Sequence, residues 1–321
     1  MDSNLHSKLA HLPVATFATI MGSVGLTLVW QRASAVFGLP LIISELLLTL
    51  TCALLLLLGF SYLLKWRRYP QAVHAEFYHP IKISFFPAYS IGLMLTASAF
   101  HSYFDGVSLV LWALGASMHL CLTLFLMNQW IHHSRTQVNH TTPAWFIPIV
   151  GNIIAPIEAV ALGFTEIAWF FFAIGLVYWV VLKVLFFNRI LYHDPLPQNL
   201  YPTLFILIAP PAIGFISYQG LSGGVLDPLA HILYYTALFL VILLVTQLGR
   251  FVRLPFFISW WAYSFPLAAF TVATMLMYRH TDTLFFQLLS VGMLVVVSLL
   301  IGLLAWRTVR AALSGALFKP D

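Results

Sequence analysis

The chain has 321 residues, of which 61% are hydrophobic and only 8% charged, and its mean hydropathy is +0.93. A soluble chain carries about 25% charged residues and could not cover so much apolar surface with polar groups. The composition therefore excludes a soluble enzyme, a nucleic-acid binder and a disordered protein, and it makes a lipid bilayer the partner and solvent. The net charge of +5 and the pI of about 9.2 then point to basic loops beside a membrane.

Ten segments are long and apolar enough to cross a hydrocarbon core of about 30 Å as helices: 11–31, 38–64, 82–101, 106–131, 143–163, 167–190, 202–219, 226–248, 257–279 and 283–307. They predict an all-α integral membrane protein, a single transmembrane domain over 1–321 with short connections. A membrane β-barrel would need alternating strands, and runs such as Leu46 to Leu58 do not alternate. The first nine residues, with Asp2, His6 and Lys8, are too polar to read as a cleaved signal peptide. Cys52 and Cys121 lie within apolar runs and read as small buried hydrophobes.

Loop charge sets the orientation. The amino terminus, the even-to-odd connections and the carboxyl-terminal tail hold Lys8, Lys65, Arg67, Arg68, Lys82, Arg135, Arg189, Arg250, Arg253, Arg307, Arg310 and Lys319, and Lys183 lies in the same third of span 6. The opposite side holds only Arg32 and Arg279, a division of thirteen against two. The positive-inside rule then puts both termini in the cytoplasm of a multi-pass inner (plasma) membrane protein.

Proline falls unevenly. Spans 1, 3, 5, 7 and 9 contain Pro13, Pro87, Pro148 with Pro156, Pro210 with Pro211, and Pro266, whereas the even spans have proline only at their starts, at Pro40 and Pro228. Such helices bend, and hydrocarbon tolerates them where protein or a watery cavity covers the freed carbonyls. The pattern predicts five tandem helical hairpins, with five bent inner helices around a central path and five peripheral ones. The odd spans also hold small and polar residues, among them Gly22, Gly92, Gly151, Asn152, Gly214 and Ser264. These read equally as the lining of a narrow path and as close helix packing.

Ionisable groups inside the spans are functional candidates by default. Lys183 is placed to snorkel to the headgroups, Glu45 and Glu158 lie toward the outer face, and Glu158 on an inner helix is a candidate proton-sensitive site. Among the twelve histidines His119 alone is central in a span, and no pair sits at matched depth for haem. No nucleotide-binding, metal-ligating or nucleophile–base motif is present, so the sequence predicts no enzyme, metal or cofactor.

Span 9 reads Trp260-Trp261-Ala262-Tyr263-Ser264-Phe265-Pro266. Its W-x-[YF]-[ST]-F pattern resembles the tellurite-resistance/dicarboxylate transporter family, which includes bacterial TehA and the plant guard-cell slow anion channel. Glu76-Phe77-Tyr78-His79-Pro80 before Ser84-Phe85-Phe86, Pro148 with Val150-Gly151-Asn152, and Ala209-Pro210 follow the resemblance in order over nearly all ten spans. The resemblance implies a homotrimer in which each subunit has its own pore, occluded midway by a phenylalanine that maps to Phe265. Pro266 matches plant-like members where TehA-like members have glycine, and Glu158 stands where the family favours a small residue.

Three functions follow as expectations. The first is a channel for small inorganic anions such as nitrate and chloride. The second is a proton-coupled transporter of C4-dicarboxylates or a tellurite-type oxyanion, with Glu158 as carrier. The third is a membrane cytochrome or other enzyme, which a Soret band would reveal.

Overall fold

The computed structural model describes residues 8–132 and 137–318. Arg135 and Lys319, two of the basic residues used for orientation, lie outside them. Among the described residues there is no strand. The long helices are α1 (Phe17–Phe37), α2 (Ile42–Arg68), α4 (Pro87–Phe100), α5 (Asp105–His132), α6 (Phe146–Ala161), α7 (Thr165–Tyr192), α8 (Ala209–Leu221), α9 (Pro228–Val245), α11 (Ser264–Thr281) and α12 (Leu284–Leu313), with two short ones, α3 (Pro70–Phe77) and α10 (Leu248–Val252).

Burial alternates along the chain. In the apolar windows of the segments containing α1, α4, α6 and α8, between 67% and 83% of residues are buried, against 22% to 33% for α2, α5, α7, α9 and α12. Twelve of the 18 residues of α11 are buried as well. The helices of the odd-numbered spans are thus the interior, and the large exposed apolar side chains, such as Leu50, Phe60, Leu114, Val184, Phe239 and Leu299, stand on the outer ones. In water that surface would cost about 25 cal/mol per Å²; against lipid tails it costs nothing.

The inner helices close on themselves. α1 packs on α4, α4 on α6, α6 on α8, α8 on α11, and α11 returns to α1. Each outer helix packs on its own inner partner and also on the next inner helix, so it covers the seam between the two. Repetition of one hairpin gives a five-helix ring inside a five-helix jacket.

By length and apolarity alone, nine of the described segments are able to cross a membrane. The expected ninth span, within Ile258–Thr281, is not among them because Trp260, Trp261, Tyr263, Ser264, Arg279 and His280 dilute its hydropathy. One expectation is corrected, the bending of the inner helices by proline. The only proline inside an inner α-helix beyond its first turn is Pro156. Pro87, Pro148, Pro210 and Pro266 fall within the first three residues of α4, α6, α8 and α11, and Pro13 precedes a 3₁₀ turn. Their missing N–H groups cost no α-helical bond there. Every inner helix is led in by such a turn: Val14–Thr16, Lys82–Phe85, Pro143–Trp145, Gln198–Ile208 and Ile258–Tyr263. Proline marks the change from 3₁₀ to α at one end of the ring.

The outer helices run the other way and carry charge that suits their dipoles. Glu45, Asp105 and Glu166 lie in the first turns of α2, α5 and α7, and basic residues lie in the last turns of α2, α7 and α12. Near the lead-ins, buried Lys65 donates to Glu76 Oε2 at 2.6 Å and to the Leu12 carbonyl at 2.8 Å. Tyr62 donates to the same carboxylate oxygen at 2.6 Å, and Val14 N–H to Oε1 at 3.3 Å. This cluster ties the amino-terminal segment, α2 and α3 together. Lys183 lies over the Trp179 ring at 5.4 Å. Cys121 is exposed on α5 rather than buried, because it faces the lipid side of an outer helix.

Candidate functional site

A cavity of about 40 Å³, room for a few waters, lies on the axis of the ring among the lead-ins and first turns of the inner helices. All five inner segments line it: Ala18 and Met21, Phe85 and Ile91, Ile147 and Val150, Ile206 and Ala209, and Ile258, Ser259, Trp261, Ala262, Phe265 and Pro266. The wall is almost wholly apolar, with Ser259 its one hydroxyl.

Phe265 and Pro266 are the candidates that the cavity brings together. Phe265 is the second residue of α11 and is 5% exposed. It is aimed inward because the 3₁₀ lead-in ends at Tyr263 and Pro266 fixes the first α-turn directly after it.

The other candidates serve the walls. A Cβ on Gly22 would meet the Ser264 side chain and Trp261 Cε3, the latter at 2.7 Å, so this glycine lets α1 and α11 touch. Gly92 leaves room for Ile20, where a Cβ would lie 2.7 Å from Cγ2, and Gly214 sits against Leu233. Gly151 leaves room for the ring of His119. Most hydroxyls are consumed locally: Ser90 donates to Pro87 O, Thr96 to Gly92 O, Ser264 to Trp261 O and Thr274 to Phe270 O, all at 2.6–2.8 Å. Small and hydroxyl residues therefore signal helix packing here, not a polar lining.

Glu158 does not line the cavity. Its buried carboxylate accepts from Ser108 Oγ on α5 and from His101 Nδ1 at 2.9 Å, just past α4. The His101 side chain is 38% exposed, so the pair lies at the outer end with a route to solvent. Residue counting could not find this partner, because it comes from another hairpin. Arg32 and Arg279 stand at the same end, near enough to repel each other.

The electrostatics of the cavity end differ. Five inner helices begin there without side-chain caps, and each N-terminus carries roughly half a positive charge. Ser84 Oγ, Thr142 Oγ1, Trp145 Nε1 and Tyr263 OH, all in or beside the lead-ins, are buried donors with no protein partner among the described residues. Buried polar groups are rarely left so, and water or an anion can take up these donors. Lys65, Lys82, Arg189, Arg250 and Arg310 surround the same end.

A closed helix ring with a narrow axial cavity, jacketed by lipid-facing helices, suits a multi-pass membrane protein of the channel or transporter class. Residues 11–309 match the SLAC1 family, described as voltage-dependent anion channels, and the chain belongs to this family. It is similar to the S-type anion channel SLAH3 of Arabidopsis thaliana, with 27% identity over 98% of this chain and 50% of the relative. It is 26% identical to the guard cell S-type anion channel SLAC1 of the same plant, over 83% of this chain and 50% of the relative. It is 24% identical to the tellurite resistance protein TehA homolog of Haemophilus influenzae, over 96% of this chain and 93% of that one. The chain spans about half the length of the plant channels it matches.

Replacing Gly22 by Ala should destabilise the protein by roughly 1–3 kcal/mol through overpacking of α1 against α11. Gly249→Ala, where a Cβ meets nothing within 4 Å, should be neutral or slightly stabilising. Thermal unfolding in detergent compares the two.

Proposed function

We propose that the chain is a channel for small monovalent anions, with nitrate and chloride as the expected ions, and that Phe265 is the gate of a path along the ring axis. The single observation that carries this reading is the placement of Phe265 in a cavity lined by all five inner helices. An aromatic ring there fills the cross-section and offers no hydrogen bonds in place of hydration, so the constriction can close by dewetting. With no fixed charge in the wall, the cost of dehydration ranks the ions, and weakly hydrated nitrate passes more easily than chloride. The helix N-termini, free donors and basic collar raise the local anion concentration, an effect that salt screens.

The reading includes ten crossings, with Ile258–Thr281 as the ninth, both termini in the cytoplasm of the inner (plasma) membrane, and a homotrimer with one path per subunit. Burial of α11 in the ring supports its crossing in spite of its lower hydropathy. A coupled transporter of C4-dicarboxylates or a tellurite-type oxyanion is the second reading, favoured by the Glu158–His101 pair. In either case Glu158 is the proton-sensitive group. An ionised carboxylate there repels anions at the outer end, and a protonated one does not.

Phe265→Ala should increase anion current by roughly tenfold or more at equal surface expression, because the constriction becomes wettable, and Phe265→Leu should open it less. A ring that only packs would give lower stability, by about 3–5 kcal/mol, with no added current. Glu158→Gln should raise anion flux at alkaline pH and change it little in acid. A flux–pH curve identical to the parent's assigns Glu158 to structure alone.

A further inference from the structure

His119 is fully buried in the middle of outer helix α5, yet nothing in the gate described above uses it. Its Nε2 lies 3.0 Å from the Pro148 carbonyl of α6, and its Nδ1 lies 2.8 Å from Ser90 Oγ of α4. A carbonyl only accepts, so Nε2 carries the proton. A neutral ring then accepts on Nδ1 from the Ser90 hydroxyl, whose one proton is shared with the Pro87 carbonyl, also 2.8 Å from Oγ, and both ring nitrogens have a partner. The contact is built from both sides: Gly151 hollows out the seat for the ring. Thr123 Oγ1 and Asn152 Nδ2 also donate to the Pro148 carbonyl, at 2.8 and 3.1 Å.

The position in the ring gives this network its meaning. α11, which carries Phe265, has α8 and α1 as its ring neighbours. The two helices that face it across the axis are therefore α4 and α6, the pair that His119 joins. Ile91 follows Ser90, and Ile147 and Val150 flank Pro148 and Gly151 in sequence; all three line the cavity. The strut thus stands directly behind the wall that confronts the Phe265 ring. Inserting one imidazole with two fixed hydrogen bonds sets the spacing of that wall more tightly than apolar contacts would, since a hydrogen bond tolerates only a few tenths of an ångström.

We propose that His119 is a positioning residue of the conduction path: a neutral strut from the outer jacket that fixes the α4–α6 spacing and so the width of the constriction closed by Phe265. The proposal rests on the gate reading above. It predicts that loss of the strut alters which anions pass, not only how stable the protein is.

The test uses the full chain in planar bilayers with Phe265→Ala as the open background, measuring the nitrate-to-chloride permeability ratio and the melting temperature. His119→Leu removes both hydrogen bonds and should shift the ratio by roughly twofold or more, as the width of a dehydrating constriction changes. His119→Gln, which can accept from Ser90 and donate to Pro148, should keep the parental ratio. If His119→Leu does not reach the membrane, the double variant His119→Ala/Gly151→Ala, whose new methyl fills part of the ring's seat, takes its place with the same expected shift. A ratio unchanged in the Leu or double variant while the melting temperature falls overturns the strut. So does a Gln variant that shifts as far as the Leu variant. No current from Phe265→Ala itself overturns the gate reading on which the strut rests, a distinct result.

Discussion

Hydrocarbon offers no partner to an unpaired backbone N–H or carbonyl, and each one left open costs several kcal/mol. The architecture follows from that constraint. A path through the bilayer has to be enclosed by helices whose own polar groups are satisfied. Five inner helices close a ring, five outer helices cover its seams, and the inner hydroxyls turn back onto carbonyls three or four residues away. Irregular backbone survives at one end, in the 3₁₀ lead-ins, where proline gives up no α-helical bond. The free donors and helix dipoles collect at that end, and so does the cavity. The same constraint leaves the cavity wall apolar, as the proposed gate requires, since an apolar constriction holds back ions through their hydration.

Much of this architecture can be read from residues in order. Exposed leucine-rich helices alternating with proline-bearing ones give the jacket and the ring, because the two classes answer to different solvents. Phe265 comes from the Trp261-to-Phe265 pattern and its family resemblance; among 27 phenylalanines no physical signal in the sequence sets it apart. What escapes a linear reading is cross-hairpin geometry. Gly22 and Gly151 carry the composition of a pore lining, yet each is small to admit a side chain from another helix. His119 reads as one central histidine without a mate, since its partners are a serine and a carbonyl. Glu158 reads as a lone carboxyl, because His101 and Ser108 come from a different hairpin. Span 9 reads as a crossing by its length, while its aromatic and hydroxyl residues lower its hydropathy for a reason tied to its place: it is buried among protein rather than lipid.

The charge distribution completes the account. Acidic residues lie in the first turns of α2, α5 and α7 and basic ones in the last turns of α2, α7 and α12, which suits the macrodipoles, and the orientation and anion recruitment proposed above would draw on the same arrangement. Arg32 and Arg279 depart from it at the end where Glu158 is paired with His101, and Glu76 and Asp194 depart from it at the other, each beside a basic residue. In the proposed channel, anions would thus meet positive potential at the cavity end and a balanced set of charges at the other.

Side-specific thiol labelling of a Val150→Cys variant, with the free Cys52 and Cys121 replaced by Ser, tests the central claim most directly. Val150 lines the cavity on the wall across from Phe265. A small impermeant reagent should fail to reach residue 150 from the outer side in the parent, and should reach it from that side when Phe265→Ala is also present. Labelling from the outer side with Phe265 intact, or no outer labelling after Phe265→Ala, would contradict the claim.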